Sequence, residues 1–431
     1  MNKKALAELY QDLPELITTG VLTPEAAENI KNHYGPIEDN QGRPTFLLAF
    51  GVFGVLLVGL GITLLIAHNW AQLTRVNRLA LSIGLLVAAQ LVAGMTLYFK
   101  QESRTWRESA AALHMIVIGA VLALVGQTYH LTGDTDSFLL TWMLLSLPLM
   151  YLLRANSVAV LYLLGVTYWS ASIYSPVEKQ FVWLLLALAL PYYWRQMRQD
   201  RFSNTTAVLS WVWNICLYGC FTAAFDSSLN TFRALVYSAL FSINYMAGVL
   251  WFNTVQESRL PFKAIGLAGS GITIFILTFY DYWRHLNMTT SRVSSVETLL
   301  VIALLLLTAV ALFRTAKQTG HRNLPFAVAP LVISIGYLVQ YFDASGSTAM
   351  ILLNGYMLLL SIWVISAGSR NRSIGQVNAG MLMLALLIAA RFLDANLSFV
   401  IRGVVFVCLG IGFLVVNWLM VRHKAGGQHE K

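Results

Sequence analysis

Charge is what this sequence has least of. Of 431 residues only 11% are Asp, Glu, Lys or Arg, where a soluble domain of average usage carries about a quarter. That scarcity excludes a chain that hides its apolar residues in one aqueous core, because 57% of the side chains are hydrophobic and the mean hydropathy is +0.64. Lipid is expected as the solvent for most of it, which restricts the backbone to helices or a closed barrel, since unpaired amides cost several kcal/mol in hydrocarbon. Alternation of apolar and polar residues over barrel-strand length is missing as well. The apolar runs are close to 20 residues, the length of a spanning helix.

Other absences narrow the chemistry. The three cysteines, Cys216, Cys220 and Cys408, lie inside apolar runs and imply no disulfide framework. Cys216 and Cys220 share a helical face, as a metal or redox pair would, or as small residues in close helix packing would. No phosphate-cradling loop, His-Glu zinc helix, nucleophile elbow or pair of catalytic carboxylates is present, so no catalytic residue, cofactor or metal is implied. All twenty carboxylates fall in tails, loops or span ends. A transporter coupled to protons or sodium through a midplane carboxylate loses support on that ground. The net charge of +9 sits in short loops, the pattern of cytoplasmic loop cations and lipid headgroup anchors, and not of a nucleic-acid surface.

What is present reads as an all-α integral membrane protein. Residues 1–44 form a short cytoplasmic helical hairpin: apolar residues at helical spacing run to a stop near Gly20, with an interruption or restart at Pro14, and Thr23 caps a second helix with Pro24 at its first position. Residues 45–421 form a polytopic bundle of about 14 transmembrane helices built from helical hairpins, and residues 422–431 a polar cytoplasmic tail. No cleavable signal peptide is expected, the first apolar core beginning at Phe46. With the N-terminus inside, 21 of the 29 Lys and Arg lie on the inner side. That bias places both termini in the cytoplasm.

Gly126-Gln127-Thr128-Tyr129-His130-Leu131-Thr132-Gly133-Asp134-Thr135-Asp136 is a polar, aromatic apex between two such runs, and similar apices recur. They include Tyr280-Asp281-Tyr282-Trp283, Tyr341-Phe342-Asp343 and Phe392 with Asp394. A true repeat would gather these acids on one face, where they dock a periplasmic partner or collect cations. Otherwise they are ordinary turn residues and helix caps at an aromatic interface.

Further polar candidates are few. His114, Gln90, Asn214, Asn244, Asn354 and Asn378 sit within spans, where such groups bridge helices, and His114 is also a candidate ligand or proton carrier. His68-Asn69-Trp70, ahead of Arg75 and Arg78 on an amphipathic linker, suits either a lipid phosphate or an interfacial anchor. Arg391 and Asp394, three residues apart, are expected to pair.

The segments "GVLTPEAAENI", "IAHNW", "GQTYHLTGD" and the closing "RFLDANLSFVIRGVVFVCLGIGFLVVNWLMVR" resemble the bacterial predicted membrane proteins grouped as domain of unknown function 2157. The first three cover roughly residues 10–145. The resemblance implies a bacterial inner-membrane protein and supplies no activity. It also hints at a complex with a small membrane-anchored periplasmic protein. Three classes follow: a non-enzymatic membrane component docking an envelope partner, a transporter or lipid flippase, and, with least support, an intramembrane enzyme.

Overall fold

Local chemistry at each helix end explains where the helices start and stop. The computed structural model describes residues 12–14, 16–34, 72–131, 133–252, 261–286, 293–320, 324–343, 345–394 and 407, and among these no strand occurs. Thr23 accepts from the Ala26 amide at 3.3 Å and opens α1 (Pro24–Tyr34). Thr74 does the same for Asn77 at 3.3 Å and opens α2 (Arg75–Phe99). Each hydroxyl satisfies an amide that has no partner within its own helix. Arg75 and Arg78 therefore lie in the first turn of α2, a correction to the linker expected there.

The elements after α2 follow in order: α3 (Arg104–Tyr129), α4 (Thr135–Leu152), α5 (Asn156–Ser172), the short α6 (Pro176–Lys179), α7 (Val182–Gln199) and α8 (Asn204–Phe225). Then come α9 (Arg233–Trp251), α10 (Pro261–Ile276), the single turn α11 (Tyr280–Arg284), α12 (Ser295–Thr319) and the single turn α13 (Leu324–Ala327). The last three are α14 (Ala329–Phe342), α15 (Ser347–Arg370) and α16 (Ile374–Asp394). Eight of the described helices are long and apolar enough to cross a membrane, namely α2, α3, α4, α8, α9, α12, α15 and α16 up to Arg391, while α10 and α14 are apolar but shorter. The expected span at 46–67, and that at 399–420 apart from Val407, lie outside the described residues.

The chain divides into two compact units, Met1–Arg78 and Leu79–Lys431. In the first, helical residues lie on both sides of Pro14 and give way to a turn at Gly20, whose φ of 75° suits glycine. Leu13 and Ala27 are buried there.

In the second unit, α5 is the centre of one core. Val158, Tyr162, Leu163, Val166 and Trp169 on α5 are all buried, and α3, α4, α7 and α8 pack around it. A helix apolar all round is at rest only when surrounded. A second core gathers α9, α10, α12, α14 and α15 around Tyr245, Trp283, Ile333 and Leu353. Phe221, Leu229 and Val236 join the two. Lipid solvates leucine as well as protein does, so close packing and interhelical hydrogen bonds must hold such helices together. Gly266 brings two helix backbones close together: a Cβ there would stand 2.5 Å from the Tyr245 backbone nitrogen. The buried Cys220 sulfur lies 3.5 Å from the Thr167 hydroxyl of α5, so this cysteine serves packing between α5 and α8.

The run expected as one span at 263–283 is broken. Helix α10 ends at Ile276, and Leu277, Thr278 and Trp283 are all fully buried. Irregular backbone at such depth requires its carbonyls to be met. The Trp283 indole donates to the Leu277 carbonyl at 2.7 Å, Asn354 on α15 donates to that of Thr278 at 3.0 Å, and Gln340 on α14 donates to that of Trp283 at 3.1 Å. Trp283 thus turns into the core, although its position after Tyr280 and Asp281 reads as part of an exposed apex.

Candidate functional site

Interhelical hydrogen bonds gather the helix ends of the second unit at two poles. At one, which holds the apices, Ser172 at the end of α5 donates to Asp136 at the start of α4, and Gln180 donates to the Ala224 carbonyl at the end of α8 at 3.0 Å. Ser294 before α12 donates to the Ser228 carbonyl at 3.1 Å. At the opposite pole, Tyr192 on α7 donates to Asn156 on α5 at 3.2 Å, and Arg201 to the Trp251 carbonyl at 3.3 Å.

The apex residues divide by what their side chains do. Asp134 accepts from the Ser137 amide at 2.9 Å and caps α4, and the Ser137 hydroxyl and amide hold its carboxyl below the usual aspartate range. Asp343 accepts from the hydroxyl of Thr348, from the Ser345 amide at 3.1 Å and from the Ser345 hydroxyl at 3.0 Å. Thr348 foremost, then Ser345, hold it low as well. His130 ends α3 with φ 49°, and the Leu131 amide reaches back to the Gly126 carbonyl at 3.0 Å. This is the left-handed helix ending that glycine usually supplies. Asp281 is exposed, and its backbone carbonyl accepts from the His285 ring at 2.7 Å. Gln127 and Tyr129 are exposed on the last turn of α3.

Two glutamates that the sequence left among ordinary span ends hold the start of one central helix in each core. Glu108, in the second turn of α3, accepts from the amides of Asn156 at 3.0 Å and Ser157 at 2.8 Å, and so caps α5. The preceding residue, Ala155, has no side chain able to do this. Glu297, in the first turn of α12, has 0% exposure and accepts from the amides of Asn230 at 3.1 Å and Phe232, capping α9 from another helix. Its second oxygen has no hydrogen-bond partner among the described residues. The signal available in the sequence was Ser294-x-x-Glu297, a capping box, and Ser294 does accept from the Glu297 amide at 3.0 Å. The side chain, however, serves a distant helix.

Two sequence-nominated residues, Gln90 and His114, meet in one cavity. A space of about 310 Å³ lies between α2, α3 and α4, walled by Leu86, Ile118, Leu122 and Leu145 and carrying Gln90 and His114 as its polar side chains. His114 is 8% exposed and its Nδ1 has no partner among the described residues. Asn214 and Asn354 are engaged with backbone: they donate to the carbonyls of Ser210 at 3.1 Å and of Thr278 and Met350 at 3.0 and 2.7 Å.

The remaining candidates do not join these groups. Arg391 donates to the Met350 sulfur at 3.3 Å and stands 5.6 Å from the centroid of Phe279. The side chain of Asp394, its expected partner, and all of His68, Asn69 and Trp70 lie outside the described residues. Among the described residues no three His, Cys, Asp or Glu side chains come together as a metal site.

Residues 14–159 match the family of predicted membrane proteins known as domain of unknown function 2157, the family that the sequence resembles. No curated protein and no solved structure matches the chain.

Proposed function

We propose that this membrane protein is a non-enzymatic component of a bacterial inner membrane, with both termini cytoplasmic, that docks a membrane-anchored periplasmic partner through its apex pole. The observation that supports this reading is the surface there. Tyr174 is 96% exposed and Phe342 79%, with Val177 and Tyr341 exposed beside them, and the carboxylates of Glu178, Asp226 and Asp281 are interspersed. Exposed aromatics with acids suit a partner that offers basic side chains around an apolar strip. Transport or lipid flipping has less behind it, because the deep amides Asn214 and Asn354 are engaged in carbonyl bonds.

The test is purification from native membranes in mild detergent after cross-linking. Asp134 caps α4 and Asp343 ties the turn ahead of α15, so charge reversal there would confound docking with local unfolding. The informative variant is Asp281→Lys with Glu178→Lys, beside Asp134→Asn as a control that keeps the cap oxygen. The reading predicts one partner at fixed stoichiometry, released by the double reversal and retained by the control. Recovery of the protein alone, or a partner indifferent to the reversal, overturns it.

A further inference from the structure

We propose that the cavity between α2, α3 and α4 binds a membrane-soluble lipophile with a small hydrogen-bonding ring and a hydrocarbon tail, of the prenylated quinone class. The two polar residues of the cavity lie at one depth. Gln90 is nine residues before the end of α2 and His114 ten residues after the start of α3, and the two helices meet through the short connection at Lys100–Ser103. At 1.5 Å per residue both sit about 14 Å from that end, near the middle of a hydrocarbon layer about 30 Å thick.

Unpaired polar groups at such a depth are costly. Gln90 is exposed on α2 and His114, whose Nδ1 has no partner among the described residues, lines the same space, so two side chains able to hydrogen-bond share a cavity where lipid can offer none. The rest of the wall is apolar, and Leu145 is itself exposed, which opens the space sideways to the bilayer. Pro148 on α4 contributes to the gap: it has no amide, so the Leu144 carbonyl loses its helical partner and the helix cannot close tightly there.

An apolar slot with a few convergent polar groups, at the small end of ligand pockets, accepts a flat ring with a carbonyl, not a whole phospholipid. A bare acyl chain would leave both His114 and Gln90 unpaired. The imidazole and carboxamide can both donate to a quinone carbonyl.

The experiment uses the full chain in detergent and decylubiquinone as the probe, with bound quinone counted by absorbance after gel filtration. One saturable equivalent per chain is expected. His114→Leu with Gln90→Leu should weaken binding about tenfold or more, as loss of two hydrogen bonds implies. Leu145→Trp should abolish it by filling the opening, and decylbenzene, with the same tail and no carbonyl, should not compete. The proposal is overturned if no saturable binding occurs, if decylbenzene competes equally, or if quinone binds the polar double variant as tightly as the parent. Should the double variant fail to fold, Leu145→Trp decides: retained binding refutes the site.

Discussion

Removing the Glu297 side chain should uncouple the start of α9 from the rest of its core. In the folded protein one oxygen of this fully buried carboxylate accepts two backbone amides, from Asn230 and Phe232. Hydrogen bonds to a charged group contribute about 1.5–3 kcal/mol each. Asn230 is exposed, so its amide recovers water when the acceptor is lost, whereas the half-buried Phe232 recovers less. Deleting the carboxylate also removes the penalty of burying its charge. Together these put Glu297→Ala at about 3 kcal/mol of destabilisation. Glu297→Gln keeps the accepting oxygen and places an amide group where the second oxygen already lacks a partner, a cost of about 1–2 kcal/mol. Reversible unfolding in micelles, followed by circular dichroism, gives the energies, and hydrogen exchange at the Phe232 amide reports the cap itself. The reasoning fails if the alanine variant unfolds within about 0.5 kcal/mol of the parent, or if glutamine costs as much as alanine, since then the acceptor is not what matters.

Gly266→Ala should destabilise by about 1–3 kcal/mol, because the added methyl meets the Tyr245 backbone, which cannot swing aside, and this outweighs the gain in helix propensity of about 1 kcal/mol. Gly271→Ala on the same helix, with nothing within 4 Å of its Cβ, should stabilise by up to about that propensity gain, and the same unfolding assay compares the two. Acid should release the α4 cap made by Asp134 and the turn bonds made by Asp343 ahead of α15. Their folded carboxyls titrate below the usual range, so their contribution is complete above the unfolded-state value near 3.9 and is lost only as pH falls through the lower folded value. Hydrogen exchange at the Ser137 and Ser345 amides should remain slow at about pH 5 and, after correction for intrinsic rates, lose protection only below the ordinary aspartate range. Asp134→Asn should remove that acid dependence at Ser137 alone.

How far the sequence could be read varies with the range of the interaction. Thr23, Gly20 and Asp134 announced a cap, a stop and a turn because each acts within a few residues of itself, and the structure uses all three that way. Cys220 and the deep amides Asn214 and Asn354 were open between function and packing, and their partners place them in packing. The expectation at 263–283 failed for a physical reason: hydropathy measures how well a run tolerates lipid, and a buried break whose carbonyls are met by Trp283, Asn354 and Gln340 tolerates its surroundings equally well. Trp283 illustrates it, since an aromatic after a tyrosine and an aspartate has the signature of an interface residue and is fully buried.

The sequence alone decided the solvent and the helical class, because too few charges and runs near 20 apolar residues leave a backbone no other way to pair its amides. Tertiary structure decided which polar residues are employed. Glu108 and Glu297 look like span-end acids until α5 and α9, far away in the chain, bring amides to them. Gln90 and His114 are 24 positions apart on different helices, and only the tertiary arrangement of α2, α3 and α4 brings both to one apolar cavity. Hydropathy is summed residue by residue, whereas hydrogen-bond partners are set by where helices meet.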